Sequence, residues 1–266
     1  MLDGPVARGA VGQVWRLTTP DGAFAVKEPF ERPDEWASDD EASFQGLGVA
    51  GGVPAPRIVR TSSGGVLANV RGTAVRLYQW VDLRAPDRHL DPAAVGHAVA
   101  RLHQVRYVGR NDVDPWYTEP VGEHEWRSLV DDLIGAGAPF AADLADRLDE
   151  LIALERLIEP PTDVQTCHRD LLADDVLAAA SGGICIVDWE NSGLADPSQE
   201  LAVVLFEFAG DDAGRARDLY GAYRDQGGPG VVSGPGSFSM AIAQLRHIGR
   251  HSAGGGWSSH VPRNGN

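Results

Sequence analysis

Hydrophobic and polar positions change their period near residue 82 of this chain. Before that point the apolar residues alternate or run in short stretches. "QVWRLTT" (13–19) and "AFAVKEP" (23–29) read as two strands, and the turn signal "PDG" between them makes a hairpin. "PDEWASDDEASFQGLG" places acids early and apolar residues at helical spacing, which predicts a helix over 34–48 that "GGVPAP" stops. "PRIVRT", "GGVLANV" and "AVRLYQWV" are three further expected strands.

After residue 82 the spacing turns helical. "DPAAVGHAVARLHQV" (91–105) opens with Asp and Pro, as a capped helix does, and places Val95, Val99 and Leu102 on one face. "EHEWRSLVDDLI" and "FAADLADRLDELIALERLI" predict two more amphipathic helices. A short strand is expected at 164–167, and "DDVLAAASGGICIVDWE" reads as strand, Gly-Gly turn, strand. Helices resume at "PSQELAVVLFEFA", "GRARDLYGAYRDQ" and "FSMAIAQLRHIGRH"; the Gly-, Ser- and Asn-rich tail "SAGGGWSSHVPRNGN" is expected to be mobile. The expected class is α+β. A strand-rich segment with one helix (1–82) precedes a mainly helical one with a single hairpin (83–266), and the boundary falls at "WVDLRAPD" (80–87). A cleft between two such lobes is a common ligand site.

Composition narrows the classes. The 266 residues are 43% hydrophobic and 23% charged, ample for a core. There is no apolar run long enough to span a bilayer, and "MLDGPVARGAV" lacks the pattern of a signal peptide, so a cytoplasmic location is expected. A net charge of −15 repels a phosphate backbone, which argues against nucleic acid, and attracts a cationic small partner. Cys167 and Cys185 have no zinc spacing and are expected to be reduced, buried and small-hydrophobe-like.

The candidate chemistry lies in a series of short stretches. "RGAVGQVW" (8–15) is a turn in which Gly9 and Gly12 let backbone amides approach phosphates. "FAVKE" puts Lys27 inside an apolar strand, with Glu41 of the following helix as its natural partner. "HRDLLADDVL" (168–177) supplies Asp170 as a base and Asp175 as a metal ligand. "ICIVDWE" ends an apolar strand in Asp188, an acid that is expensive to bury unless paired or metal-bound. Taken singly, each has an ordinary structural reading: a hairpin turn, a snorkelling lysine, an acidic loop. The order is the specific signal. Gly turn, strand lysine, helix glutamate, H-x-D-x4-D, hairpin, and an apolar strand ending in Asp follow the protein-kinase layout part by part.

These motifs resemble those of the aminoglycoside phosphotransferase and choline kinase group, small-molecule kinases with a bilobal, protein-kinase-like fold. The family's H-G-D-x-x-x-x-N is "HRDLLADD" here, its I-D-W-E is "VDWE" (187–190), and its G-D-P-x-x-D-L-A is "ADPSQELA" (195–202). "EASFQGLGVAGGVPAPRIV" (41–59) resembles its helix-then-PxP segment, and "VARLHQV" (99–105) its A-x-L-H helix. The resemblance implies Mg²⁺ and ATP or GTP. It implies that Asp170 orients or deprotonates a substrate hydroxyl and that Asp188, with Asp175, binds Mg²⁺. Lys27 would contact the phosphates while paired with Glu41, and the backbone at Gln79, Trp80 and Val81 would hold the base. His168 would organise the catalytic loop and Asp196 would brace it. Two departures stand out. Position 175 is Asp where the family has Asn, which adds like charge beside Asp170 and Asp188. The stretch before the Gly turn is also short for the helix that often precedes it in this family.

The acceptor pocket is expected between the "ARLHQV" helix and Asp170, together with the late helices. Trp116, Tyr117 and Trp126 suit stacking on a sugar or ammonium group. Glu123, Glu125, Asp131 and Asp132 suit pairing with amines, and Glu190, Glu207, Asp211 and Asp212 are further candidates. The same residues equally suit core aromatics and a solvated acidic face. The expected reaction is transfer of a γ-phosphate to a hydroxyl of a small, amine-bearing acceptor such as an aminoglycoside or amino sugar. Choline or homoserine fit as well. A nucleotide-binding pseudokinase is the alternative that Asp175 raises, and a metal-dependent hydrolase would leave Lys27 and the Gly turn without purpose. A protein kinase is disfavoured because no A-P-E and no activation segment follow "DWE".

Overall fold

The computed structural model describes residues 1–9, 11–109 and 112–245. The tail expected to be mobile, and the end of the helix expected over 238–251, lie outside the described residues; residues 239–245 are helical.

The chain opens with β1 (Leu2–Arg8), β2 (Gly12–Thr19), β3 (Gly22–Pro29), α1 (Glu35–Ala50), β4 (Ile58–Val59), β5 (Leu67–Val70) and β6 (Thr73–Gln79). These strands form one antiparallel sheet in the order β1-β2-β3-β6-β4, with β5 also pairing β6. The expected hairpin is β2–β3, closed at Gly22, whose φ of 131° suits glycine. Helix α1 starts where expected because Asp34 accepts a hydrogen bond from the Ala37 N–H at 2.8 Å. Register sets up the site: Lys27 on β3 lies directly opposite Arg76 on β6, so the two cations share one face.

Helix α2 (Pro92–His103) follows, capped by Asp91, with Val95, Val99 and Leu102 fully buried as their spacing predicts. Then come α3 (Glu123–Gly135), α4 (Ala141–Asp146), α5 (Leu148–Glu155), β7 (Gln165–Cys167), β8 (Val176–Ala178), β9 (Ile184–Ile186), β10 (Gly193–Ala195), α6 (Pro197–Ala209) and α7 (Ala213–Asp225). The β8–β9 hairpin matches expectation, whereas β10, which pairs with β7, carries no strand pattern of its own. Helices α2 and α7 approach so closely that a Cβ on Gly96 would lie 2.3 Å from the Leu219 carbonyl oxygen.

The chain forms two compact units, residues 1–114 with 161–233, and residues 115–160 with the chain from 234. The change of period near residue 82 falls inside the first unit, and the segment expected as one helical part, 83–266, is divided between the two. The core of the first unit joins Phe44, Val95, Val99, Leu102, Leu171, Ile186, Trp189, Leu201, Phe208 and Tyr223. Each large apolar side chain so buried contributes about 1.5–3 kcal/mol. Two of them, Leu171 and Trp189, sit beside the expected catalytic acids, so burial anchors the loops that carry those acids.

The second unit has a smaller core of Trp126, Val130, Leu148 and Ile152. The Glu155 carboxylate accepts the N–H groups of Val121 (2.7 Å) and Gly122 (3.0 Å) at the start of α3. The single helix expected over 140–158 is two, α4 and α5, broken at Arg147 (φ −100°, ψ 3°). No glycine or proline marks the break; Leu148 and Ile152 belong to the core with Trp126, and packing overrides the continuous pattern.

Candidate active site

Gly12 opens β2 where a Cβ would lie 2.8 Å from the Glu28 carbonyl oxygen, so the close approach of β3 requires glycine. The N–H of Gly9 donates to the Gly12 carbonyl at 2.9 Å, and a Cβ at Gly9 would meet nothing.

Lys27 Nζ lies 2.7 Å from Asp188 Oδ1 and 2.8 Å from Glu190 Oε2. Burial opposes the charge on Lys27, but the two carboxylates outweigh it and hold the amine above its ordinary value. The expected Lys27–Glu41 pair does not form. Arg76, beside Lys27 in the sheet, takes Glu41 Oε2 at 2.9 Å and Ser38 Oγ at 2.6 Å, and reaches Glu190 Oε1 at 3.4 Å. A forked guanidinium binds several acceptors on separate elements, which a lysine ammonium does less well. Burial pushes Glu41 up to about 7 against the pull of Arg76. Glu190, expected among the acceptor-binding residues, is thereby engaged by two cations of its own chain.

The catalytic-loop sequence follows β7. His168 is fully buried, and its Nε2–H donates to the Val187 carbonyl at 2.9 Å, while its ring packs edge-on to Trp189 at 5.2 Å. Burial lowers its pKa, so it stands as a neutral organiser of the loop. Asp170 Oδ2 accepts from Asn191 Nδ2 at 3.0 Å. Burial raises the Asp170 pKa and this hydrogen bond opposes the rise. Asp175 is pushed up to about 9, first by burial and then by the charges of Asp188 and Asp170. Asp188 takes the left-handed conformation (φ 57°, ψ 60°), rare for a residue with a Cβ. Asp175 thus feels the charges of Asp188 and Asp170, a repulsion that a divalent cation held by Asp175 and Asp188 would relieve.

Asp175 gives a direct check on that repulsion. Its folded-state value near 9 lies above the roughly 3.9 of an unfolded aspartate, so between those values the folded chain holds a proton that the unfolded chain releases. Wild-type stability therefore falls as pH rises through that window. Asp175→Asn, which does not titrate, is expected to melt roughly 4 °C above wild type at pH 8 in chelator-treated buffer and level with it near pH 4. Thermal melts at both pH values check this, and a constant difference would contradict it.

One organising residue escaped the sequence reading. Glu200 on α6 is fully buried; Oε1 accepts the Arg169 backbone N–H and Oε2 lies 2.6 Å from His103 Nε2. The Glu200 carboxylate accepts from the His103 Nε2–H, while His103 Nδ1 lies 2.8 Å from the Tyr223 hydroxyl, which accepts the Gly230 N–H (2.8 Å). Burial pushes Glu200 up, but His103 and the loop N–H outweigh it and hold the carboxyl below its ordinary range. Asp196, expected as the loop brace, instead caps α6 at Ser198 N (2.8 Å) and accepts from Thr162 N (2.9 Å) ahead of β7. Its short side chain serves its own helix start, while Glu200, one turn further on, reaches the catalytic loop. The signal was there: an acid inside the apolar run "ELAVV" needs a buried partner.

The other expected residues divide. The Gln79 N–H donates to the Arg57 carbonyl (2.8 Å) and the Trp80 N–H to the Ala23 carbonyl (3.1 Å). Glu207 Oε1 accepts from the Ala173 N–H (3.1 Å) and Arg88 Nε (3.0 Å), so it steadies the catalytic loop rather than standing open to an acceptor. Asp212 caps α7, and Asp211 is exposed. In the second unit Tyr117 and Trp126 are buried, Trp116 is half-buried, and Glu125, Asp131 and Asp132 are exposed. Glu123 pairs with Arg127 at 2.9 Å on the surface. Cys167 and Cys185 are unpaired and buried.

A family model described as "Phosphotransferase enzyme family" matches residues 4–234. The chain belongs to this family. Like its family, this phosphotransferase phosphorylates a hydroxyl group of a small molecule. No curated protein sequence matches it. Among solved structures, it is similar to a spectinomycin phosphotransferase in complex with ADP and spectinomycin, with 14% identity, a TM-score of 0.66, and coverage of 93% of this chain and 80% of the other. An aminoglycoside phosphotransferase from Alicyclobacillus acidocaldarius gives 14%, 0.59, 93% and 88% in the same order. A choline kinase from Streptococcus pneumoniae gives 15%, 0.57, 95% and 82%. At these identities the likeness fixes the fold of the phosphotransferase, α+β and protein-kinase-like, and leaves its acceptor open.

Proposed function

We propose that this phosphotransferase moves the γ-phosphate of ATP or GTP to a hydroxyl of a small, amine-bearing acceptor, an aminoglycoside or amino sugar before choline or homoserine. The observation that carries the reading is the meeting of Lys27 from β3 with Asp188 after β9, beside Asp170 and Asp175 of the H-x-D-x4-D loop. Phosphoryl transfer is mostly positioning and charge stabilisation, and these are its parts.

Asp170 receives or orients the proton of the acceptor hydroxyl. Lys27 contacts the phosphates, and the Gly9–Gly12 turn covers them. The backbone at Gln79, Trp80 and Val81 holds the base. Asp175 and Asp188 would hold Mg²⁺, which supplies positive charge to the phosphate oxygens. The net charge of −15 supports a cationic acceptor over nucleic acid. Among the described residues no helix is long and apolar enough to cross a membrane, which agrees with a cytoplasmic enzyme that draws on nucleotide there.

The test is release of ADP or GDP from Mg·ATP or Mg·GTP across a panel of aminoglycosides, amino sugars, choline and amino alcohols. Acceptor-dependent release is expected in wild type and a loss of about 10²–10⁴-fold in Asp170→Ala. Silence across the panel, with nucleotide binding intact by calorimetry, would favour a pseudokinase.

A further inference from the structure

We infer that Arg169 and Asn191 act together as a clamp on the catalytic carboxylate: the Arg169 guanidinium fixes the backbone of Asn191, and the Asn191 amide fixes Asp170. The inference rests on the proposed role of Asp170 and goes beyond it by naming what aims that group.

Position 169 is glycine in the family pattern H-G-D, and here the backbone adopts φ 69°, the left-handed region that favours glycine. An arginine there needs a compensating role, and its side chain has one. Arg169 Nε donates to the Asn191 carbonyl at 2.5 Å and Nη2 to the Ser192 carbonyl at 3.5 Å, while Nη1 lies 3.9 Å from Asp114 Oδ2. The guanidinium rests on Gly193, where a Cβ would come within 2.6 Å of Arg169 Cζ. Asn191 in turn donates from Nδ2 to Asp170 Oδ2 at 3.0 Å. Its own segment is pinned by Ser192, whose hydroxyl donates to the Trp189 carbonyl at 2.7 Å.

The contacts close a ring. Asp170 is the chain neighbour of Arg169, Arg169 grips the backbone of Asn191, and Asn191 grips Asp170. The same grip ties the loop carrying the base to the loop carrying Asp188. An amide N–H on Oδ2 favours the ionised carboxylate and leaves Oδ1 to meet the acceptor hydroxyl. The other charged or titratable groups facing Asp170 are His168 in its own loop, Asp175 further along that loop, Asp188 after β9 and Glu200 on α6. Arg169 and Asn191 are positioning residues, since each acts through Asp170.

The experiment follows the Asp170 carboxyl by ¹³C NMR titration, assigned by its loss in Asp170→Asn. Asn191→Ala is expected to raise the midpoint by about 1 pH unit. Arg169→Gly accepts the left-handed backbone without strain and removes the guanidinium with all of its contacts, those to Ser192 and Asp114 included. Gly193→Ala unseats the guanidinium from the opposite side. Both are expected to raise the midpoint by a smaller amount, and Arg169→Gly combined with Asn191→Ala to go no further than Asn191→Ala alone. The acid limb of kcat/KM for ADP release, with whichever panel acceptor responds, is expected to move by the same amount. An unchanged midpoint in Asn191→Ala, or wild-type behaviour in Arg169→Gly, overturns the clamp. The two readings separate cleanly. Shifted midpoints with no acceptor-dependent release leave the clamp standing without the proposed reaction; Asp170-dependent release with unmoved midpoints leaves the reaction without the clamp.

Discussion

Asp188→Ala is expected to abolish acceptor-dependent turnover, lowering kcat by more than about 10³-fold while the protein stays folded. The side chain does two things. It is the carboxylate at the end of β9 that would hold the metal against the phosphates, and it pairs with Lys27 at 2.7 Å. Glu190 retains its own contact with Lys27 at 2.8 Å, so the lysine keeps a partner and the local fold survives. The loss belongs in kcat, because charge stabilisation at the transferring group is felt in the transition state. Asp175→Asn makes the contrast, since it restores the residue found in the family pattern and is expected to retain activity. Steady-state kinetics on the two variants check the pair. A wild-type rate in Asp188→Ala would mean that the metal ligand has been wrongly assigned.

The second large effect is on stability. Glu200→Gln is expected to cost about 3 kcal/mol, a drop of roughly 6–12 °C in thermal midpoint. The carboxylate is fully buried and accepts two donors, the Arg169 N–H and the His103 Nε2–H. A glutamine offers one oxygen and one NH₂, so one buried donor is left facing another. The sign with pH follows from the depressed folded-state pKa of Glu200. Its stabilisation is present above the unfolded value of about 4.3 and is lost as pH falls through the lower folded value. The gap between wild type and variant should therefore hold from pH 6 to 8 and narrow below about pH 4. Thermal melts across that range check it; equal midpoints at pH 7 would remove Glu200 from its bracing role.

Much of the architecture was legible because it is local. The Asp91 cap and the spacing of Val95, Val99 and Leu102 located α2, and "PDG" between two apolar runs gave the β2–β3 hairpin. The order of the acids pointed to the chemistry, because phosphoryl transfer needs those groups in a sequence that the fold preserves. What was missed depends on partners distant in the chain. Glu41 seemed made for Lys27 until the register set Arg76 beside that lysine, and register is not a local property. Glu200 meets His103 across 97 positions, so the run that contains it reads as an amphipathic helix with one charge out of place. The left-handed backbone at Arg169 was hidden behind a side chain whose use appears only when Asn191, Ser192 and Gly193 fold over it. The acidic acceptor candidates were the least legible. Glu190 and Glu207 took structural partners, and a carboxylate in sequence does not announce whether a cation of its own chain will claim it.

The most direct test of the central claim is ³¹P NMR of the wild-type enzyme with Mg·ATP and a responsive acceptor. The account predicts a new phosphomonoester signal that grows one for one with ADP and is missing with Asp170→Ala. Growth of inorganic phosphate with no ester would contradict phosphoryl transfer and make the acid cluster that of a hydrolase.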